Sequence, residues 1–419
     1  MGRSFASSSS VAVIGGGASG LISAASAAQT AAIEGVPCSV TVYEAGDTPG
    51  RKILVSGNGR CNLTNQTLSP SFYPGADKTF LRTVFDLFGN RDTISFFSDH
   101  GLHTISDHAG RVYPVGNQAA QVRRTLLYLC ESLGVSVVTG KEILSVKKEN
   151  DAFLLNEEIL VNRLIFAFGS PASPKNGGKD AAGLFAGSDV SVKPFLPALS
   201  PIRLKDFSKN QLRGVRVRGS VSIRCDDRIL ASDTGELQFT DYGVSGIPSM
   251  QVSFAAAQAL SLGKAPTALI DCAPFLSPEA LRSDLERLRR KESEMPVHLF
   301  LSGLMPDRLS LYFLKKDTVR GETPVAKLKP AEIRSLLKHV KQAEYPVVGV
   351  CGFQEAQAAS GGVLLSEIDP ASMALKKLPG AFVCGEAADI CGLCGGYNLQ
   401  WAWSSGFLAG QSAARSLLF

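Results

Sequence analysis

The chain lacks any apolar run approaching the ~18 residues needed to cross a bilayer, which argues against a membrane-spanning protein. It also lacks a strong charge of either sign. Its 43 basic and 38 acidic residues leave a formal charge of +5 over 419 residues. The densest basic groups, Arg289-Arg290-Lys291 and Lys315-Lys316, are short and isolated, as expected of solvated helix faces rather than a nucleic-acid surface. Nine cysteines, an odd number spread from Cys38 to Cys394, do not form a disulfide framework and point to a reducing cytoplasm. Cys391-x-x-Cys394 has no second such pair to complete a zinc site, so a structural role is expected. His100, His103 and His108 lack acidic or cysteine partners at metal spacing, and no metal site is expected; they read as a surface or cofactor-proximal loop. Arg3 and the alanine-rich stretch after it do not make a secretory signal, because Gly15, Gly16 and Gly17 would break its apolar helix.

What is present is apolar material, 45% of the residues, enough for two or three domains in a chain of this length. The run Val11-Ala12-Val13-Ile14 ends in Gly15-x-Gly17-x-x-Gly20, followed by a small-residue helix from Ala18 to Ala32. A second apolar run, Val40 to Tyr43, then closes on Glu44. Glycine spacing alone is unspecific; flanked by two strands and an acid 24 residues past the last glycine, it is the opening unit of a dinucleotide-binding fold. Gly15 permits the tight turn, Gly17 lets the backbone approach a pyrophosphate, and Gly20 lets the helix pack on the strand. The N–H groups at the helix start, from Ala18 and Ser19 onward, face the phosphates. Glu44, with Ala45 beside it, is expected to accept from ribose hydroxyls.

Residues 1–10, with four consecutive serines, read as a disordered tail. The stretch from Gly50 to Asn65 is too rich in glycine, amide, hydroxyl and guanidinium groups to build a core and suits a polar, phosphate-bearing ligand. A helix is expected over 119–133 and strands over 135–138 and 143–147. Leu164 to Phe168 reads as a buried strand ending in Gly169. From 195 to 350 the character changes to an inserted domain. It has a strand-rich part, with alternation over 215–223, and a helical part, with helices over 278–291 and 330–342. The expected boundaries of the first, discontinuous domain are therefore 11–194 and 351–419. Near the C-terminus a strand, Ala381 to Cys384, is followed by Gly385-Glu386, and the Asn398–Gln400 amides stand at the start of a terminal helix. Such a second unit suits the far end of a two-part cofactor, with the amides placed to stabilise negative charge on a reduced flavin.

Gly50-Arg51-Lys52, Ser56-Gly57, Gly59-Arg60-Cys61-Asn62-x-Thr64-Asn65, Gly385-Glu386-x-x-Asp389 and Gly395-Gly396-Tyr397-Asn398-Leu399-Gln400-Trp401-Ala402 together resemble the signature blocks of the HI0933-like flavoproteins. Shorter blocks agree: Gly110 to Pro114, Thr240-x-Tyr242-Gly243-x-Ser245-Gly246 and Gly361-Gly362-Val363. The resemblance spans nearly the whole chain. It implies an α/β fold, a glutathione-reductase-type Rossmann domain binding FAD, interrupted over 195–350 by a substrate-side insert with a β-barrel-like part and a helical part. It places Gly50, Arg51, Lys52, Ser56, Gly57, Arg60, Cys61 and Asn62 around the cofactor, together with Ile143 and Gly169. Gly385, Glu386, Asp389, Gly396, Tyr397, Asn398 and Leu399 would hold its ribityl and flavin portions. Three departures from the family pattern stand out: Ser170 in place of a second glycine, Asp241 in place of a histidine, and Pro248 one position late.

The expected function is FAD-dependent hydride transfer between a small organic substrate or NAD(P)H and a second acceptor. Amine oxidation by oxygen is one alternative, and a flavin-bearing RNA-binding or RNA-modifying protein is another. No second dinucleotide fingerprint is present, so NAD(P)H is expected only as a transient, weakly held donor. The sequence singles out no catalytic acid or base, and Cys61 has no resolving cysteine beside it.

Overall fold

The computed structural model describes residues 9–205, 207 and 211–418, and the chain divides into two units: 1–196 with 358–419, and 197–357. The first unit is built on a five-stranded parallel sheet. Its strands are β1 (Ser9–Ile14), β2 (Cys38–Tyr43), β3 (Ser136–Val138), β4 (Arg163–Phe166) and β5 (Ala381–Val383), in the order β5-β4-β1-β2-β3. Central β1 is paired on both sides, Val11 to Ile14 facing Arg163 to Phe166 on one edge and Val40 to Tyr43 on the other. Val11 to Ile14 are accordingly apolar without alternation and buried. Four helices frame the site: α1 (Ala18–Glu34), α2 (Arg51–Val55), α3 (Ala119–Ser132) and α4 (Tyr397–Arg415).

Helix α1 is built from small residues because α4 lies almost on its backbone. A Cβ at Gly406 would come within 2.5 Å of the Ser19 carbonyl oxygen, and one at Gly410 within 2.1 Å of that of Ser23. Ser26 Oγ also donates to the Phe407 carbonyl at 2.8 Å. Gly35, left-handed with φ +67°, ends α1.

The second unit is a closed six-stranded antiparallel barrel. Around it run Ile202–Leu204, Gly243–Ser245, Arg228–Phe239, Arg216–Cys225, Thr267–Asp271 and Ala343–Val350. The unit adds helices including Ile247–Ser261, Pro278–Arg290, Asp307–Lys316 and Pro330–Gln342, and it has a core of its own.

Three expectations are corrected. Ser9 and Ser10 belong to β1 rather than to the tail: Ser10 donates through its N–H and hydroxyl to Asn162 Oδ1. Residues 1–8 lie outside the described residues. The strand expected over 143–147 starts only at Val146, because Asn156 occupies the backbone groups before it. Its Oδ1 accepts from Leu144 and Ser145 N–H, and its Nδ2 donates to the Glu142 carbonyl. Residues 351–357 belong with the barrel unit. Cys351 N–H donates to Pro201 and Gln357 N–H to Leu199, which ties the segment to the start of that unit.

Candidate functional site

The glycine turn comes first. Gly15 has φ +106°, and a Cβ there would lie 2.5 Å from the Ala167 carbonyl oxygen; a Cβ at Gly20 would lie 1.9 Å from the Gly15 carbonyl oxygen. Both positions therefore exclude any side chain on packing grounds. Gly17 differs, since a Cβ there would meet no atom within 4 Å. The turn thus presents bare backbone to open space at the N-terminus of a 17-residue helix, and no acidic side chain in the first turn offsets the positive end of the helix dipole. A diphosphate fits that cradle.

Glu44 closes the turn from the other side, its Oε2 accepting from Gly16 N–H at 2.8 Å and its Oε1 from Gly46 N–H at 2.7 Å. Each carboxylate oxygen keeps a lone pair for a ribose hydroxyl. Ala45, between the two bonds, is exposed. Gly50, with φ +71°, hangs the next block on the same turn through its N–H to the Gly16 carbonyl at 2.8 Å. Ile143 offers a ligand little, since its side chain is buried in the core.

From Gly50 onward the block divides into polar groups facing outward and groups that shape the loop. Arg51 is exposed near Asp47, while Lys52 Nζ reaches Glu386 Oε2 at 2.6 Å. Ser56 donates to the Ile53 carbonyl at 2.6 Å, and left-handed Gly57 brings the chain back against Asn62 N. Arg60 lies over the Tyr113 ring, 4.7 Å from its centroid. Cys61 is sealed in the core, and burial, partly offset by a hydrogen bond with Ser56, pushes its thiol up to about 12. Such a group stays protonated and has no nucleophilic character at neutral pH. The Asn62 amide, oriented by its partners, donates to the Thr64 carbonyl at 2.9 Å and accepts from Gly396 N–H at 3.0 Å.

The C-terminal block meets the N-terminal one directly. Gly385, with φ +64°, leaves room for Ser19, whose Oγ would lie 2.4 Å from a Cβ at 385. Its N–H donates to Ser405 Oγ at 2.9 Å, and its carbonyl accepts from Trp401 Nε1 at 2.8 Å. Asp389 is held by Lys193 Nζ at 2.9 Å and by Gly361 N–H at 2.7 Å. Gly396 caps α4 with φ +99°, pressed against the Thr64 carbonyl. Tyr397 stacks on Phe72, and Leu399 is half-buried.

The Asn398 and Gln400 side-chain amides are committed elsewhere. Asn398 bonds both the N–H and the carbonyl of Gly392 at 2.8 Å, and Gln400 is buried between Thr64 and Ser404. What α4 can offer a ligand is its first-turn backbone N–H groups, because its first internal bond runs from Gln400 N–H to the Gly396 carbonyl.

Gly169, with φ +78°, also faces open space. The glycine turn, the Gly50–Asn62 loop, Gly169 and the Gly385–Leu399 segment thus all lie in one unit. Sequence reasoning passed over Lys193 and Ser170 as site groups; a lone lysine after a valine carries no local signal, and Ser170 registered only as a departure. Among the described residues, no three or more His, Cys, Asp or Glu side chains are grouped to hold a metal ion, and no helix is long and apolar enough to cross a membrane.

Residues 9–412 match the HI0933-like protein Rossmann domain family. The chain is 35% identical to the 3-dehydro-bile acid delta(4,6)-reductase of Clostridium scindens, the match covering 96% of this chain and 98% of that protein. It is 28% identical to the ribosomal RNA dihydrouridine synthase of Escherichia coli, again over 96% and 98%. Among solved structures, the 3-ketosteroid delta1-dehydrogenase of Sterolibacterium denitrificans aligns over 97% of this chain and 99% of its own, with TM-score 0.48 and 13% identity. The chain belongs to the HI0933-like family and is an FAD-dependent oxidoreductase of the Rossmann type.

Proposed function

We propose that the protein reduces a carbon–carbon double bond conjugated to a carbonyl in a small cyclic substrate. The observation that carries this reading is the full-length, 35% identity to a delta(4,6)-reductase. A dihydrouridine synthase likewise adds hydrogen across one ring double bond, so the two relatives share a reaction although their substrates differ. When bound, FAD would supply the hydride chemistry. This chain's contribution is to hold and orient the cofactor. The α1 N-terminus and Gly17 take the diphosphate, Glu44 takes the adenosine ribose, and the Gly385–Asp389 segment with the α4 N-terminus takes the other half. NAD(P)H is proposed as a weakly held electron donor, with reduction still rising at ~1 mM, because the chain carries one dinucleotide fingerprint.

A second substrate class has an observation in its favour. The chain is 28% identical over its length to a ribosomal RNA dihydrouridine synthase, although the basic side chains of 278–342, 14 against 9 acidic ones, are interleaved with acids as on solvated helix faces. One experiment separates the readings. The flavin-loaded protein is reduced without oxygen by NADPH or dithionite, then mixed with a steroid dienone, with ribosomal RNA, or with oxygen. Rapid return of flavin absorbance with the dienone alone is the expected result. Return with RNA alone moves the substrate to RNA. Reduction of the flavin by an amine, with reoxidation by oxygen only, would replace the reading by an amine oxidase.

A further inference from the structure

Glu386 is gripped by one of its two carboxylate oxygens. Its backbone is fixed at Gly385 by Trp401 and Ser405 of α4. Oε2 accepts from Lys52 Nζ at 2.6 Å and from Ser170 Oγ at 3.2 Å. Oε1 accepts from no described residue, and it is not among the buried side-chain atoms left without a partner. It is therefore an open acceptor. The two donors to Oε2 are unequal in stiffness. Lys52 reaches across four methylenes with its side chain 31% exposed, a flexible arm whose ordering costs rotamer entropy. Ser170 is 1% exposed and has a single rotor. Its hydroxyl accepts from Ala172 N–H at 3.4 Å, which turns the hydroxyl hydrogen toward Glu386. It sits immediately after left-handed Gly169, beside open space.

We infer that Ser170 is a positioning residue: it fixes the Glu386 carboxylate so that Oε1 is offered to a hydroxyl of the polyol chain joining the flavin to the diphosphate. The inference rests on FAD being the ligand of this unit. It gives a role to a hydroxyl that replaces a glycine in the family pattern and that the sequence assigns to nothing. Lys52 supplies charge to Oε2, while Ser170 supplies direction.

The test is a double-mutant cycle on FAD affinity, read by flavin fluorescence, with ADP as a ligand that has the diphosphate and adenosine but no polyol chain. Ser170→Ala is expected to raise the Kd for FAD roughly tenfold and leave the Kd for ADP unchanged, while Ser170→Thr restores FAD binding. In a Glu386→Ala background, Ser170→Ala is expected to change the FAD Kd by less than twofold. Additive effects of the two substitutions would overturn the inference, since Ser170 would then act without Glu386. Equal losses for FAD and ADP would also overturn it, by marking Ser170 as a general structural residue. Failure of the wild-type protein to bind FAD is a separate outcome that removes the premise, and the inference falls with it.

Discussion

Glu44 shows how much of the site a single residue can carry. Its spacing from the glycines marks it in the sequence as an expected ribose ligand, but its bonds to Gly16 and Gly46 N–H are not legible there, because they depend on the path of the turn. Removing it therefore has two consequences. Glu44→Ala is expected to weaken FAD binding roughly tenfold to hundredfold, and to lower stability by about 1–3 kcal/mol by leaving two backbone donors unpaired. Glu44→Gln keeps one good acceptor and should fall between the variant and the parent on both counts. Fluorescence titration and thermal melting check them separately; an unchanged FAD Kd in Glu44→Ala would mean that the carboxylate serves only the turn. The buried thiols give a second residue-scale expectation. Burial pushes Cys61, Cys130 and Cys384 up to about 12 from an ordinary value of 9.0. The folded state keeps these protons after the unfolded chain has lost them. Their contribution to stability is thus complete below about pH 9 and is lost as pH rises from about 9 to about 12. Urea midpoints should decline over that window, and less so in a variant with all three cysteines changed to alanine; an equal decline would assign the loss to other groups.

Among the elements, the packing of α1 on α4 decides how the two ends of the chain build one site. The small residues of α1 are legible in the sequence as a helix with a glycine start. The partner for which they are small is not, because Ser19 and Ser23 meet Gly406 and Gly410 nearly the whole chain away, and such contacts leave no local period. The same limit explains the strand expected over 143–147. Its apolar pattern is real, but the Asn156 amide takes the backbone groups that a ladder would need. Gly410→Ala tests the helix pair. Alanine is the better helix former by about 1 kcal/mol, whereas a Cβ 2.1 Å from the Ser23 carbonyl oxygen forces the helices apart. Overpacking of this kind costs about 1–3 kcal/mol or more, so the clash wins and the expected result is net destabilisation with weaker FAD binding, since Ser19 and Gly385 would separate. A gain in melting temperature would show that the helices part without cost.

The whole molecule is two units with two cores, and the residues proposed to hold the cofactor belong to one of them. This division was legible as a change from buried, unbroken apolar strands to alternating ones, seen in Val215 to Ile223. Closure of the barrel was not, because Ile202–Leu204 and Gly243–Ser245 are three-residue strands too short to carry a pattern. The division has a thermodynamic consequence. FAD at a hundred times its Kd stabilises whatever folds together with its site by about 2.7 kcal/mol, close to a hundredfold in an opening equilibrium. The groups proposed to hold FAD all come from 15–62, 169–170 and 385–399, inside the first unit. Amides of β1 and β4, such as those of Val13 and Ile165, should therefore exchange roughly a hundredfold more slowly when FAD is added. Barrel amides such as those of Val221 and Ile270, buried in the separate second core, should keep their rates. Hydrogen exchange followed by mass spectrometry with and without FAD reads both sets in one experiment. Uniform slowing across 197–357 would mean that the units open as one cooperative block, and the stabilising effect of the cofactor would then extend to the barrel.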